Sequence, residues 1–369
     1  MLNLSVNFRN VINRLNKCDW LIPLAALSLF SIGCVSLYYN STVDRDVFSK
    51  QVTFLAISVV LFYVLIFSDW RVFRDNSYLV LFIYFIAVTA VLGLFFFAPD
   101  IRGVKNWYRI DRISIDPVEL LKLSLVFLLA KYFSMRHVEM YRVRHIIASS
   151  VYVIIPAAML ILQSNMGAVI AIFSLWGGVL IFSGIKLRQF VMLVFAGIII
   201  VTIAWGTVLK DYQRERILSF ISPNLEPLGI GWSQSQAKIS IGSGGLLGLG
   251  LGRGPQTQLG YLTESHTDFI FAAIGEEAGF LGAILIIAIY ALLIWRIINV
   301  ALKVSGNFPR LVVSGIAVVL CFQFIVNVGM NLGLMPIVGI SLPLVSYGGS
   351  NLIATFASLG IIESIRADS

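Results

Sequence analysis

Charge is scarce in this chain. Only 12% of its 369 residues are Asp, Glu, Lys or Arg, about half the share typical of a soluble domain. That excludes an ordinary globular domain with water on every side. Cysteine is scarce too. Cys18, Cys34 and Cys321 lie in or beside apolar runs and show no paired spacing, so neither a disulfide framework nor a cysteine metal site is signalled. No internal repeat of 20–50 residues is visible, which excludes a solenoid. The two halves do not look alike, which weighs against a transporter built from internal repeats. A removable signal peptide is not expected. The N-terminus is polar and basic (Arg9, Arg14, Lys17) and enters a full-length apolar run.

What is abundant is apolar residues, 58% of the chain. Roughly 20 such residues in a row are needed to cross the hydrocarbon core as a helix. Runs of that length predict spans near 20–39, 51–68, 77–97, 118–134, 146–164, 168–184, 189–208, 268–294, 311–333 and 346–364. The expected fold is therefore all-α: a polytopic membrane protein with about ten transmembrane helices. We expect one membrane domain over 1–369, with a large extracytoplasmic loop, 209–267, between spans 7 and 8.

The net charge of +8 is explained by the Lys/Arg excess that holds loops in the cytoplasm. With the N-terminus inside, every short inner loop is basic: Arg71 and Arg74; Arg136, Arg142 and Arg144; Lys186 and Arg188; Arg296, Lys303 and Arg310; then Arg366. Both termini are thus expected in the cytoplasm. Two outer loops break the rule. Loop 98–117 holds Arg102, Lys105, Arg109 and Arg112, and loop 209–267 holds Lys210, Arg214, Arg216, Lys238 and Arg253. Long loops translocate regardless of charge, but the first loop is short. Its cations fit either a surface that holds an anion or a face solvated beside acidic lipid headgroups.

Four stretches carry chemistry. In Asp116-Pro117-Val118-Glu119-Leu120-Leu121-Lys122, Glu119 and Lys122 share one helix face at i, i+3. Asp116 and Pro117 suit the cap and first turn of that helix. Ionisable groups at membrane depth usually face a cavity or a partner, so the pair reads as a charged cavity wall or a structural ion pair. The run Gly242 to Gly254 is rich in glycine, yet no Gly-Lys-Ser/Thr follows it and no βαβ unit frames it. It is either an anion-binding nest or an apolar loop on the bilayer. The cluster Glu264-Ser265-His266-Thr267-Asp268-Phe269-Ile270-Phe271, followed by Gly275-Glu276-Glu277, lies at the mouth of the eighth span. Asp268 or Thr267 could cap that helix. Alternatively Asp268, desolvated beside Phe269 and Phe271, is a general base; His266 is a second candidate. Small polar residues around Ser341 to Ser350 suit tight packing or a polar rim.

At these residues the chain resembles the SEDS family (shape, elongation, division and sporulation), the group of RodA, FtsW and SpoVE. The likeness runs over essentially the whole chain. It is carried by Ile241-Gly242-Ser243-Gly244-Gly245, Thr267-Asp268-Phe269-Ile270-Phe271 with Gly275-Glu276-Glu277, and Leu342-Pro343 with Ser346-Tyr347-Gly348-Gly349-Ser350. Tyr212, Arg216-Ile217, Phe220, Gly231-Trp232 and Gln236 resemble the family's outer loop. The stretch from Asn327 to Asn331, with Gly333-Leu334-Met335-Pro336, looks closer to RodA than to FtsW. The chain departs from the family where Asp116-Pro117-Val118-Glu119 replaces Gln-Pro-Ser-Glu, where Asn165 replaces the acid of Gln-Pro-Asp-x-Gly, and where Leu262-Thr263-Glu264 replaces Leu-Pro-Glu.

The resemblance implies a peptidoglycan glycosyltransferase in the cytoplasmic membrane. It would polymerise lipid II into glycan on the outer face, beside a class B penicillin-binding protein acting as transpeptidase. Asp268 matches the family's catalytic aspartate. The expected substrate-binding set is Lys122, Glu119, Arg102, Lys105, Trp107, Arg216, Gln236, Lys238, Ser243, His266 and Ser346. A diphosphate leaves as an anion and needs positive charge rather than a second acid. A divalent cation, Mg or Mn, is expected on the diphosphate, with no protein ligands assigned. A lipid II flippase and a non-catalytic scaffold of the elongation or division machinery are the competing classes.

Overall fold

The computed structural model describes residue 14 and residues 17–99, 106–110, 113–136, 143–207, 211–221 and 230–368. Apolar runs become helices because a helix pairs its own backbone groups where no water can. The chain begins α1 (Leu21–Tyr39), α2 (Arg45–Phe67), the one-turn α3 (Arg71–Asp75) and α4 (Ser77–Phe97). A hairpin of β1 (Tyr108–Ile110) and β2 (Ile113–Ile115) follows, then α5 (Pro117–Ser134), α6 (Val143–Leu162), α7 (Met166–Phe182) and α8 (Leu187–Thr207). The remainder is α9 (Asp211–Ile221), α10 (Ile230–Ser243), α11 (Pro255–Gln258), α12 (Ile270–Lys303), α13 (Asn307–Asn331) and α14 (Gly349–Ala367).

Each of the ten expected spans coincides with a helix. Six of these, α1, α2, α4, α6, α12 and α13, are long and apolar enough to cross a membrane by length and composition. Two more, α7 and the Leu187–Ile203 stretch of α8, are shorter and apolar. Charged residues interrupt the others: Glu119, Lys122 and Lys131 in α5, and Glu363 and Arg366 in α14. The all-α expectation needs two adjustments. Within the segment expected as the first outer loop, β1 and β2 pair antiparallel, with Arg109 opposite Ser114. The second expected loop is largely helical. Its α10 buries Gln234, Gln236, Ala237 and Ser240 against neighbours, so tertiary packing rather than an apolar stripe makes it a helix.

The core lies among α5, α12, α13 and α14, where Leu121, Leu125, Leu129, Phe133, Tyr290 and Phe356 are fully buried. At the other extreme, none of the described residues of α8 is buried. A helix that is apolar all round and uncovered suits contact with lipid.

Arg14 and Lys17 meet the end of α14 at one pole of the bundle. Arg14 pairs with Asp368 at 3.2 Å, and Arg71 pairs with the same carboxylate at 2.8 Å. Lys17 Nζ donates to Ala367 O, and Arg366 donates to Lys17 O. Arg296, near the end of α12, pairs with Asp19 at 2.8 Å. At the far end of α1, Asn40 Nδ2 donates to Ser265 Oγ at 2.9 Å, which places the neighbouring Asp268 at the opposite pole.

Candidate active site

Asp268 does not cap a helix. The N-cap of α12 is Phe269, with no side-chain cap bond, and Thr267 Oγ1 turns instead to Glu264 Oε2 at 3.1 Å. The free N–H of Ala272 is taken from another helix, by Asn331 Oδ1 at 3.0 Å. Three successive backbone carbonyls around Asp268 are clamped. That of His266 accepts from Tyr347 N at 2.9 Å, and that of Thr267 from Ser346 Oγ at 2.6 Å. The carbonyl of Asp268 itself accepts from both Asn327 Nδ2 and Asn331 Nδ2 at 3.0 Å. The turn that supplies Ser346 is closed by Leu342 N donating to Ser346 Oγ and by Tyr290 Oη bonding to Pro343 O.

The carboxylate of Asp268, by contrast, has no hydrogen-bond partner among the described residues. It is half-buried, and a side chain at Gly339 would begin 3.6 Å from its Oδ2. Desolvation pushes its pKa up to about 6; the Glu264 charge adds to the rise and Arg216 opposes it. A rigid backbone carrying a free carboxylate with a raised pKa is what proton abstraction near neutrality requires. Burial holds the neighbouring His266 imidazole below its usual pKa.

Glu119 and Lys122 form the expected ion pair, at 2.8 Å and largely buried. Asn351 of α14 also donates to Glu119, at 3.2 Å, and to Ser341 Oγ, at 3.4 Å. Asp116 caps α5 through Val118 N, as expected, and its own N–H donates to Ser350 Oγ. Burial, reinforced by Glu119, raises the Asp116 carboxyl to about 7. The segment from Gly339 to Asn351 thus runs from the Asp268 carboxylate to the Glu119–Lys122 pair. Asn165, which stands where the family has an acid, caps α7 through Ala168 N at 3.1 Å. Asparagine caps as well as aspartate, so this departure keeps the local structure without the charge.

The remaining predicted residues divide. Arg216 acts on Asp268 electrostatically. Lys238 is exposed and its aliphatic chain crosses Gly333. Gln236 is buried in α10. Ser243 is exposed and its hydroxyl donates to Ser240 O. Trp107 is exposed beside β1, and no described contact links it to Asp268. Arg102 and Lys105 lie outside the described residues. Ser346 holds backbone, which makes it a positioning residue. Asn327 and Asn331 were not singled out for a site role by sequence; two asparagines four apart in an apolar helix were the available signal.

The glycine-rich run is not an open anion nest. The N–H groups of Gly248, Leu249 and Gly250 donate to Gly244 O, Glu276 O and Glu277 O, and Gly252 N donates to Glu277 Oε1. Glu276 is fully buried and accepts from Gln256 N, Thr257 N and Thr257 Oγ1. The run is a clasp on α12, with Leu246 and Leu247 turned outward. Among the described residues no group of three or more His, Cys, Asp or Glu side chains gathers to hold a metal.

The model of the cell cycle protein family of FtsW, RodA and SpoVE matches residues 17–369. The chain belongs to this family. Peptidoglycan glycosyltransferase MrdB of Escherichia coli (strain K12) is 31% identical over 343 residues, covering 93% of this chain and 92% of that protein. Probable peptidoglycan glycosyltransferase FtsW of Haemophilus influenzae is 32% identical over 358 residues, covering 94% and 88%. Among solved structures, a chain from a peptidoglycan synthase complex described as coordinating polymerization and crosslinking superimposes with a TM-score of 0.82. It is 30% identical and covers 95% of this chain and 98% of its own. Rod shape determining protein RodA of Thermus thermophilus superimposes with a TM-score of 0.71 at 26% identity, covering 95% and 97%. This SEDS chain is accordingly a multi-pass membrane protein with the RodA-like fold.

Proposed function

We propose that this SEDS chain is a peptidoglycan glycosyltransferase that polymerises lipid II, with Asp268 as its general base. The single observation that carries the reading is the free, half-buried Asp268 carboxylate on a backbone clamped at three successive carbonyls. The enzyme class is the one its curated relatives bear. Asp268 takes the proton from the 4-hydroxyl of the incoming sugar. That oxygen attacks the anomeric carbon of the strand, the bond to undecaprenyl diphosphate breaks, and configuration inverts. An inverting glycosidase needs a second acid for its leaving group; a diphosphate leaves as an anion and needs cations instead. Arg216, Lys238, Lys122, Arg102 and Lys105 supply them, with Trp107, Gln236, Ser243 and His266 along the substrate path.

A Mg or Mn ion carried on the diphosphate would supply further charge neutralisation. Such an ion needs one or two protein carboxylates at most; no ligand set is assigned, and no step runs through it. Ten crossings, with both termini cytoplasmic and Asp268 on the outer face, match the basic inner loops. The chain is one membrane domain, with 209–267 as its extracytoplasmic part. A class B transpeptidase is the proposed partner, in keeping with the synthase complex that this fold matches. MrdB-type and FtsW-type relatives are equally similar; the Asn327 to Pro336 stretch favours the elongation role.

The test is lipid II polymerisation by purified protein in detergent. Asp268→Asn is expected to lower the rate by roughly 10²–10⁴-fold, the usual contribution of a general base. Near-normal glycan from that variant removes Asp268 from the role. Movement of lipid II across a bilayer without glycan from the parent protein makes the chain a flippase instead.

A further inference from the structure

A charged cavity lies at the pole opposite Asp268. It has a volume of about 280 Å³ and is lined by Asp19, Trp295, Arg296, Asn299, Lys303 and Arg366. Its position follows from the chain path. Arg296 and Lys303 stand on the last turns of α12, Arg366 on the last turn of α14, and Asp19 just before α1. Helix α1, about 28 Å long, runs from beside Asp19 to Asn40, which donates to Ser265 Oγ next to the Asp268 turn, so the cavity is no part of the candidate active site.

Three cations line it against one carboxylate. That carboxylate is already engaged: Asp19 Oδ1 accepts from Arg296 Nη2 at 2.8 Å and from Leu21 N at 3.2 Å. Arg366 reaches down to Lys17 O and the buried Glu363. Arg296 Nε is buried without a hydrogen-bond partner, an arrangement that is costly unless an acceptor arrives. Lys303 has no ion-pair partner among the described residues. A basic inner end alone would satisfy topology, and Lys303 also suits the helix terminus; neither requires a cavity or leaves a buried guanidinium nitrogen unpartnered. Beside the cavity runs an apolar ridge, with Ile298 39% and Leu302 75% exposed, and Trp295 55% exposed. The Arg296 guanidinium sits 5.6 Å from the Trp295 ring centre. Aromatic and cationic side chains side by side are characteristic of headgroup level.

We propose that this cavity binds the phosphate headgroup of an anionic phospholipid, whose acyl chains lie on the Ile298–Leu302 ridge. Arg296 and Lys303 contact the phosphate, and Asn299 offers a polar contact to the glycerol end. The lipid belongs to the leaflet on the side of the chain termini. An anionic headgroup fits where a zwitterionic one does not, because Asp19 and Glu363 offset two of the three cations and leave Lys303 in excess.

The full-length protein in detergent is titrated with labelled phosphatidylglycerol and, separately, with phosphatidylcholine. Phosphatidylglycerol is expected to bind preferentially. Lys303→Gln and Arg296→Gln are each expected to weaken it by roughly fivefold, the contribution of one cation near a lipid phosphate. Size-exclusion profiles and melting curves check that each variant folds. Should Arg296→Gln unfold with the loss of its Asp19 pair, Lys303→Gln carries the test alone. Equal binding of the two lipids, or unchanged phosphatidylglycerol affinity in folded Lys303→Gln, overturns the proposal. Inorganic phosphate serves as competitor: displacement of the lipid at comparable concentration assigns the cavity to a soluble phosphate and overturns the lipid source.

Discussion

At the scale of single residues, Asp268 sets up an opposition between stability and activity. Its carboxyl has a pKa of about 6 in the folded protein, against the ordinary aspartate value of about 4. The folded state therefore holds the proton more tightly than the unfolded chain does, and its ionisation weakens the fold as pH rises from about 4 through 6. At neutral pH the charged form is the destabilised one. Asp268→Asn removes that charge, so its melting temperature at pH 7 is expected to match or exceed the parent's while polymerisation collapses. A general base must be ionised, so the rate of glycan synthesis is expected to fall as pH drops through about 6. Glu264 raises the Asp268 pKa; Glu264→Gln should therefore shift the midpoint of that limb to lower pH. A pH–rate profile unmoved by Glu264→Gln counts against the electrostatic pairing.

Among the elements, α12 has the least ordinary backbone. Gly279 interrupts it with φ 66° and ψ −162°. A β-carbon there would stand 2.3 Å from Gly248 N, in the glycine clasp. Two backbones thus meet where only glycine leaves room and where positive φ is tolerated. The clasp holds the Glu276–Leu281 stretch of α12, about two to three turns beyond Asp268. Gly279→Ala combines left-handed strain with overpacking, each of which costs about 1–3 kcal/mol. A clear drop in melting temperature in detergent is the expected outcome. An unchanged melt would mean that the clasp yields easily and does not brace the kink of α12.

For the whole molecule, the ion pairs at the pole of the termini make a prediction independent of mechanism. Arg14–Asp368 and the Lys17–Ala367 contact hold Arg14 and Lys17 against the end of α14, so the proposed topology expects both on one side of the membrane and an even number of crossings. Reporter fusions at the two termini are expected to report the same compartment, the cytoplasm. Opposite compartments would contradict the packing itself, and a shared outer location would contradict the proposed placement of Asp268.

The apolar runs decided that this chain enters a membrane, and where its helices fall, because a bilayer leaves a 20-residue apolar segment no other way to pair its backbone. The Asp116 cap and the Glu119–Lys122 pair were also legible, since both rest on neighbours within one helical turn. Contacts between distant segments were not. That Asp268 is free rather than a cap depends on Asn331 reaching across from α13. That the glycine run is a clasp depends on the carbonyls of Glu276 and Glu277 lying beneath it. Helix α10, with polar residues turned inward, carries no periodic pattern to read. In each case the deciding partner is tens of residues away, and only packing brings it within hydrogen-bond distance.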